Sequence, residues 1–470
     1  MQAKHEKGTG KRHAPRKPGS FVSEGAHKPG LDARIAAAKL LGAVIDRKTS
    51  LDGMLDNEGG NPAYRALVDA DRALVRAIVN SALRHLPQID ALLSSLLQTP
   101  LPEGARALQF VLYGAAAQIL YLDIPDHAAV DLAVEQASRD PRNKRFANLV
   151  NALLRRLVRE KEDRLADVTA HVPAIPEWFF QRLTSVYGRD EARKIADAQV
   201  QPAAIDLTVK SDPAGWAERL NGIVLPTGSV RLRAFQGSLP ELPGFDEGEW
   251  WVQDAAASIP ARLFGNVKGK RIADLCAAPG GKTAQLLLAG AEVTALDQSA
   301  TRLKRLNSNL DRLKFRAETI LANAAHWQPD NLFDAVLLDA PCSSTGTIRR
   351  HPDVLYTKGP DDISKLAQVQ DNLLRHALTL VKPGGLVVFS NCSLDPIEGE
   401  DLVAHLLSET SSVERVPINP QDWPGLENAI TSLGEFRTTP AMIAPSGTVA
   451  GGMDGFFACV LRRVDGNGAH

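Results

Sequence analysis

The sequence predicts an α/β protein: an all-helical N-terminal unit, a small mixed segment, and a doubly wound, mostly parallel sheet in the C-terminal half. Three observations carry this. Between 31 and 165, apolar residues recur at helical spacing. From 268 to 465, short strand-like runs alternate with longer helical ones, the pattern of a parallel sheet covered on both faces. At 271–283 the chain reads Arg-Ile-Ala-Asp-Leu-Cys-Ala-Ala-Pro-Gly-Gly-Lys-Thr. That is a strand ending in a glycine turn that opens a helix, the layout of a nucleotide-handling site.

Taken in order, residues 1–30 form a basic tail, with Lys4, Lys7, Lys11, Arg12, Arg16, Lys17 and Lys28 against Glu6 and Glu24. It reads as a solvated, disordered arm, and its functional alternative is a salt-sensitive phosphate contact. Residues 31–165 form the all-α unit. Its stripes are Leu31, Ile35, Leu40, Leu41, Val44 and Ile45; Leu67, Val68, Leu74, Val75, Ile78 and Val79; and Leu108, Val111, Leu112, Ala115, Ile119 and Leu120. The clearest is Phe146, Leu149, Val150, Leu153, Leu154 and Leu157. Prolines near 100, 102, 125 and 141 punctuate the helices. Lys144, Arg145, Arg155, Arg156 and Arg159 lie on the last one, as a solvated basic face or an RNA contact. Residues 166–255 form a small mixed subdomain with strands at 203–210 and 229–233. There Trp250 and Trp251 suggest packing first and base stacking second, and a helix is expected over 255–264.

Residues 256–465 hold the sheet, with strands expected at 271–277, 292–297, 319–322, 334–340, 385–391 and 456–463 and helices at 302–313, 363–380 and 400–408. In such a sheet ligands sit beyond the carboxyl ends of the strands. Residues 274–282, Asp297, Asn323, 339–342 and 391–393 all fall there. An acidic residue about 20 positions past a glycine turn holds a ribose, and Asp297 closes the next strand, so the layout suits an adenosine cofactor. It is not a phosphate loop, because the Gly-x-x-x-x-Gly-Lys-Ser/Thr spacing is absent.

Composition excludes several classes. With 54 Lys and Arg against 55 Asp and Glu, no global field announces a nucleic-acid partner. No signal core and no run of about 18 apolar residues occurs, so a soluble, cytoplasmic protein is expected, with a monomer as the default. The four cysteines, 276, 342, 392 and 459, lack Cys-x-x-Cys or His-pair spacing, so neither structural zinc nor a disulfide framework is expected. Each alone reads as a small buried residue. Cys342 and Cys392, at neighbouring strand ends, can instead face one substrate as nucleophilic thiols.

Three motifs, Asp-Leu-Cys-Ala-Ala-Pro-Gly-Gly-Lys-Thr from 274, Leu-Asp-Ala-Pro-Cys-Ser-Ser-Thr-Gly from 338 and Asn-Cys-Ser from 391, occur in an order that resembles the S-adenosylmethionine-dependent RNA cytosine-C5 methyltransferases. Asp126-His-Ala-Ala-Val and Phe146-Ala-Asn-Leu-Val-Asn-Ala-Leu-Leu-Arg-Arg look like a NusB-type RNA-binding domain. The pairing points to the bacterial Sun/RsmB group, which methylates 16S ribosomal RNA. The resemblance covers roughly 31 to 463, including Arg-Thr-Thr-Pro from 437 and Gly455-Phe456-Phe457.

The resemblance implies a Rossmann-like methyltransferase sheet and covalent catalysis. A thiolate adds to C6 of cytosine, the ring becomes an enamine, C5 takes the methyl group, and loss of the C5 proton expels the enzyme. It implies Cys392 as nucleophile, Cys342 as the thiol that assists release, and Asp339 as a hydrogen-bond partner of the ring. Lys282 orients either the cofactor carboxylate or Asp339. It places S-adenosylmethionine against Cys276, Ala277, Ala278, Pro279, Gly280, Gly281, Lys282 and Asp339, with Asp297 on the ribose and Asn323 near the adenine. The target base must leave any stack to be reached. Arg349, Arg350 and His351 are candidate phosphate ligands or a solvated loop. Three positions depart from the family: Asn323 replaces Asp, Asn391 replaces Thr, and Lys210 replaces Asn. The alternatives are the same chemistry on transfer RNA, a non-catalytic RNA-binding assembly protein, and an amino-group methyltransferase. Paired thiols speak against the assembly protein, and Asp-Ala-Pro-Cys in place of Asn/Asp-Pro-Pro-Tyr speaks against amino-group transfer.

Overall fold

The structure is a computed structural model that describes residues 28–464 apart from 57, 58, 234, 236, 446 and 448. Most of the expected basic arm therefore lies outside the described residues. Lys28, at its end, pairs with Glu135 at 2.8 Å.

The helical unit packs Leu31–Ile45, Asp69–Arg84, Leu86–Leu96, Arg106–Tyr121, Asp126–Arg139 and Ala147–His171 around one apolar core. Two of the four sequence stripes, the first and the third, lie wholly within these helices, and the fourth opens at Phe146 in a 3-10 turn just before Ala147–His171. The second starts later than expected, because Leu67 and Val68 precede the helix and Val68 is 68% exposed at its cap. Leu149 departs from the fourth stripe and turns outward. The helices Glu177–Tyr187 and Arg189–Val200 follow. Their core includes Ile348, Val354 and Leu355 from the loop beyond Cys342.

Four short strands come next: β1 (Asp206–Val209), β2 (Gly222–Val224), β3 (Val230–Leu232) and β4 (Trp250–Val252). They form an antiparallel sheet in the order β2-β3-β1-β4. Trp250 and Trp251 are themselves strand residues. Trp250 is fully buried against Phe245, with its indole N–H donating to the Pro243 carbonyl at 2.8 Å. The helix expected over 255–264 is instead two 3-10 stretches, Ala256–Ser258 and Pro260–Phe264. Pro260 has no N–H for the Ala256 carbonyl, which accepts from Ile259 instead.

The large sheet contains β5 (Arg271–Leu275), β6 (Glu292–Asp297), β7 (Glu318–Leu321), β8 (Phe333–Asp339), β9 (Val381–Asn391), β10 (Val413–Arg415), β11 (Phe436–Thr438) and β12 (Phe456–Arg463). Its order is β10-β12-β9-β8-β5-β6-β7, with β11 beside β12. The β7-β6-β5-β8-β9 stretch is parallel and β12 runs against β9. Because β8 is covered on both faces, it reads as a continuous apolar run: Val336 and Leu338 enter one core, Ala335 and Leu337 the other. Strand order reverses between β5 and β8, which opens a crevice at their carboxyl ends. Register pairs Asp339 with Ser390, so Cys342 and Cys392 emerge side by side just beyond their strands.

Candidate active site

The turn after β5 is held from several sides. Cys276 (φ 63) takes a left-handed conformation. Gly280 does so at φ 99, where an added Cβ would come within 3.1 Å of Leu306, so the last turn residue is confined to glycine. The Ala278 N–H donates to Asp297 at 3.3 Å, the Arg302 guanidinium donates to the Ala278 carbonyl at 2.7 Å, and Asn309 donates to the Pro279 carbonyl at 2.9 Å. Asp297 is buried, also accepts from the Ser299 N–H at 2.9 Å, and pairs with Arg302 at 3.4 Å.

Two clefts flank this turn. The larger, about 970 Å³, includes Asp297, Asn323, Ala324 and Leu373 in its lining. The smaller, about 380 Å³, is lined in part by Trp251, Gln253, Lys282, Arg350 and Phe456. Cys276, Ala278, Asp339 and Cys392 line both and form the wall where the clefts meet. The predicted cofactor turn is therefore divided: Ala277, Pro279, Gly280, Gly281 and Lys282 line the smaller cleft alone. Asn323 stands in the larger one, its side-chain oxygen accepting from the Ala325 N–H at 3.0 Å.

At the shared wall Lys282 donates to one oxygen of Asp339 at 2.7 Å, and Ser390 donates to the other at 2.9 Å. The Lys282 ammonium also sits 5.1 Å from the Phe456 ring centre. Of the two roles open to Lys282 in the sequence, this geometry has it hold Asp339. Beneath them Asp274 is fully buried and accepts from Thr283 at 2.6 Å. Burial, with the nearby Asp339 charge adding to it, pushes its carboxyl up to about 7.

Cys342 and Cys392 lie with their sulfur atoms 3.4 Å apart. Accepting a hydrogen bond from Cys342 holds Cys392 below the usual thiol value, against opposition from burial and from Asp339. The same contact, burial and the Glu398 charge push Cys342 well above it. The pair thus favours one thiolate, on Cys392. Burial pushes Cys276 up to about 12, and it raises Cys459 well above the thiol range. At about pH 8, iodoacetamide should alkylate Cys392 first and leave Cys276 and Cys459 unmodified, because only a lowered thiol ionises appreciably there. Peptide mass mapping checks this, and Cys276 reacting as fast as Cys392 would contradict the assignment.

Not every sequence candidate reaches the site. Arg349 is no phosphate ligand: it is buried at 2% exposure between Asp254 at 3.4 Å and Asp454 at 3.7 Å. His351 turns to Asp52 of the helical unit at 3.5 Å. Arg350 does line the smaller cleft, paired with Asp454. Lys210 lines neither cleft; it donates to the Leu313 carbonyl at 2.6 Å and lies over the Phe315 ring. Ser390, Gln253 and Glu398 escaped sequence reasoning. Ser390 alone carried a signal, being the residue before Asn391 at a strand end. Among the described residues, no group of three or more His, Cys, Asp or Glu could hold a metal, and no helix is long and apolar enough to cross a membrane.

Comparison with known proteins gives consistent matches. Residues 262–462 match the family described as 16S rRNA methyltransferase RsmB/F, and residues 31–159 match the NusB family. Ribosomal RNA small subunit methyltransferase B of Klebsiella pneumoniae is 34% identical over 423 residues, spanning 85% of this chain and 96% of that protein. The protein of that name from Xanthomonas campestris is 36% identical over 409 residues, 83% and 91% of the two chains. Among solved structures, PH0851 superposes with a TM-score of 0.70 at 21% identity, covering 93% of this chain and 99% of that one, a likeness of fold. A methyltransferase homologue from Pyrococcus horikoshii gives 0.50 at 27% identity, over 61% and 94%.

Proposed function

Because the chain belongs to the RsmB/F family of 16S rRNA methyltransferases, we propose that it methylates C5 of a cytosine in 16S ribosomal RNA through a covalent adduct on Cys392. The observation that carries this reading is the pair of sulfur atoms 3.4 Å apart, Cys392 on the wall between the two clefts and Cys342 beside it in the lining of the larger one. When bound, S-adenosylmethionine would supply an electrophilic methyl sulfonium. The larger cleft fits it: its volume lies within the range of ligand pockets, roughly 300–1,000 Å³. The donor set suits it too, with the Asp297 carboxylate placed for a ribose diol and Asn323 for an adenine edge. The smaller cleft, with Trp251 and Phe456 as apolar faces and Arg350 as a cation, would take the flipped base and its phosphate. The helical unit, proposed as a domain over 31–165, would hold the RNA around it.

In this scheme the Cys392 thiolate adds to C6, while Asp339, fixed by Lys282 and Ser390, hydrogen-bonds the ring. After methylation a base takes the C5 proton, and the C5–H bonding pair forms the C5–C6 double bond as the C6–S bond breaks, its pair returning Cys392 as a thiolate. Cys342 offers that leaving sulfur the hydrogen bond seen in the resting pair. The test is nucleoside analysis of 16S RNA from cells lacking the enzyme, after incubation with the protein and labelled S-adenosylmethionine. All label is expected in 5-methylcytidine. Label in N4-methylcytidine, or in transfer RNA but not 16S RNA, would overturn the reaction or the substrate respectively.

A further inference from the structure

Behind the two thiols lies a buried polar cluster to which the scheme above gives no role. Glu398 is fully buried. Its carboxylate accepts from the Ser343 N–H at 2.8 Å, the Ser343 hydroxyl at 2.5 Å and the Gln370 amide at 2.8 Å. Ser343 directly follows Cys342, and its hydroxyl lies 3.1 Å from that of Ser393, which directly follows Cys392. On the other side, Asn391 donates to the Glu398 carbonyl at 2.5 Å and to Gln370 at 3.2 Å, and its own oxygen accepts from the Ser393 N–H at 3.0 Å. The Gly346 N–H closes the ring by donating to the Cys392 carbonyl at 2.9 Å. One carboxylate thus anchors the loop of one cysteine while its own backbone anchors the loop of the other. A buried carboxylate is stable only when hydrogen-bonded as fully as this, so the cluster has little freedom to relax. Asn391, a departure from the family pattern, satisfies this cluster through its amide.

We propose that Glu398 is a positioning residue whose side chain holds the Cys342 loop within hydrogen-bonding reach of Cys392, and that it thereby controls release of the methylated product. This rests on the two-thiol reading given above. The side chain grips Ser343, whereas Cys392 is held mainly through backbone and Asn391. Truncation should therefore displace Cys342 and leave first methyl transfer largely intact. Glu398→Gln keeps an acceptor for the Ser343 N–H and Gln370, and its amide can donate to the Ser343 hydroxyl, which turns its own proton toward Ser393.

The experiment follows one turnover of the full chain on 16S RNA from cells lacking the enzyme, with labelled S-adenosylmethionine. Methyl transfer and decay of the denaturant-stable protein–RNA adduct are timed separately. Glu398→Ala should slow adduct decay by about 10²-fold, the scale of an ångström-level misplacement. Ser343→Ala, which removes one hydroxyl and threatens folding less, should slow it about tenfold. Glu398→Gln should restore decay to within about threefold of wild type. S-adenosylmethionine affinity should stay unchanged in all three. Adduct decay at the wild-type rate in Ser343→Ala and Glu398→Ala overturns the proposal, as does parallel loss of methyl transfer and cofactor binding, the mark of a merely structural role. Cys342→Ala is the control: if it accumulates no adduct, the two-thiol reading fails first.

Discussion

Cys392→Ala should abolish methyl transfer, lowering the rate by about 10⁴-fold or more. C5 of cytosine is a poor nucleophile until a thiolate at C6 makes the ring an enamine, so the loss is that of a whole reaction path. No other cysteine can take over. Cys276 is on the same wall, but its thiol is pushed up to about 12, and Cys459 is buried in the core under the sheet. Cys342 is near enough, but burial and the Glu398 charge, which the substitution leaves in place, push its thiol up. Cofactor affinity should change little, since the Asp297 and Asn323 end of the larger cleft is untouched. Single-turnover methylation with calorimetric cofactor binding separates the two quantities, and appreciable residual methylation would move the nucleophile elsewhere.

Cys342→Ala should fail in the opposite way. The first addition and methyl transfer proceed, and the enzyme then stays attached to its product. The leaving sulfur of Cys392 loses the thiol donor 3.4 Å away and keeps only the weaker help of the Ser344 hydroxyl. Turnover should fall by about 10²-fold or more, with nearly stoichiometric adduct on a denaturing gel. A variant that merely loses activity without retaining RNA would show that Cys342 acts before release.

Much of this was legible before any coordinates. β6 and β12 match their expected bounds because each is an apolar-rich run with sharp edges, β6 between Glu292 and Asp297 and β12 an unbroken apolar stretch between Gly455 and Arg462. β9 begins at Val381, four residues earlier than expected. Pro383-Gly384-Gly385 reads as a turn, but the pairing with β8 resumes across a register shift between Phe333 and Ala335. β10 and β11 have three residues each and are strands only because β12 lies beside them. The site divides in the same way. The convergence of strand ends follows from alternation and topology, and so do the positions of Asp297, Asp339, Cys342 and Cys392. The division of the glycine turn between two clefts does not, because it depends on which way each turn residue faces. Arg349 and Arg350 are adjacent and identical in type, yet only tertiary packing buries one and leaves the other lining the cleft. Glu398 was invisible for the same reason, since its partners Gln370 and Ser343 lie 28 and 55 residues away along the chain.

The most direct test is to trap the adduct with Cys342→Ala, S-adenosylmethionine and undermodified 16S RNA, then digest both components and sequence the cross-linked peptide by mass spectrometry. A methylated cytidine attached through C6 to Cys392 is the predicted species. A cross-link to another residue, or an N4-methylated product with no cross-link at all, would contradict covalent catalysis by this pair of thiols.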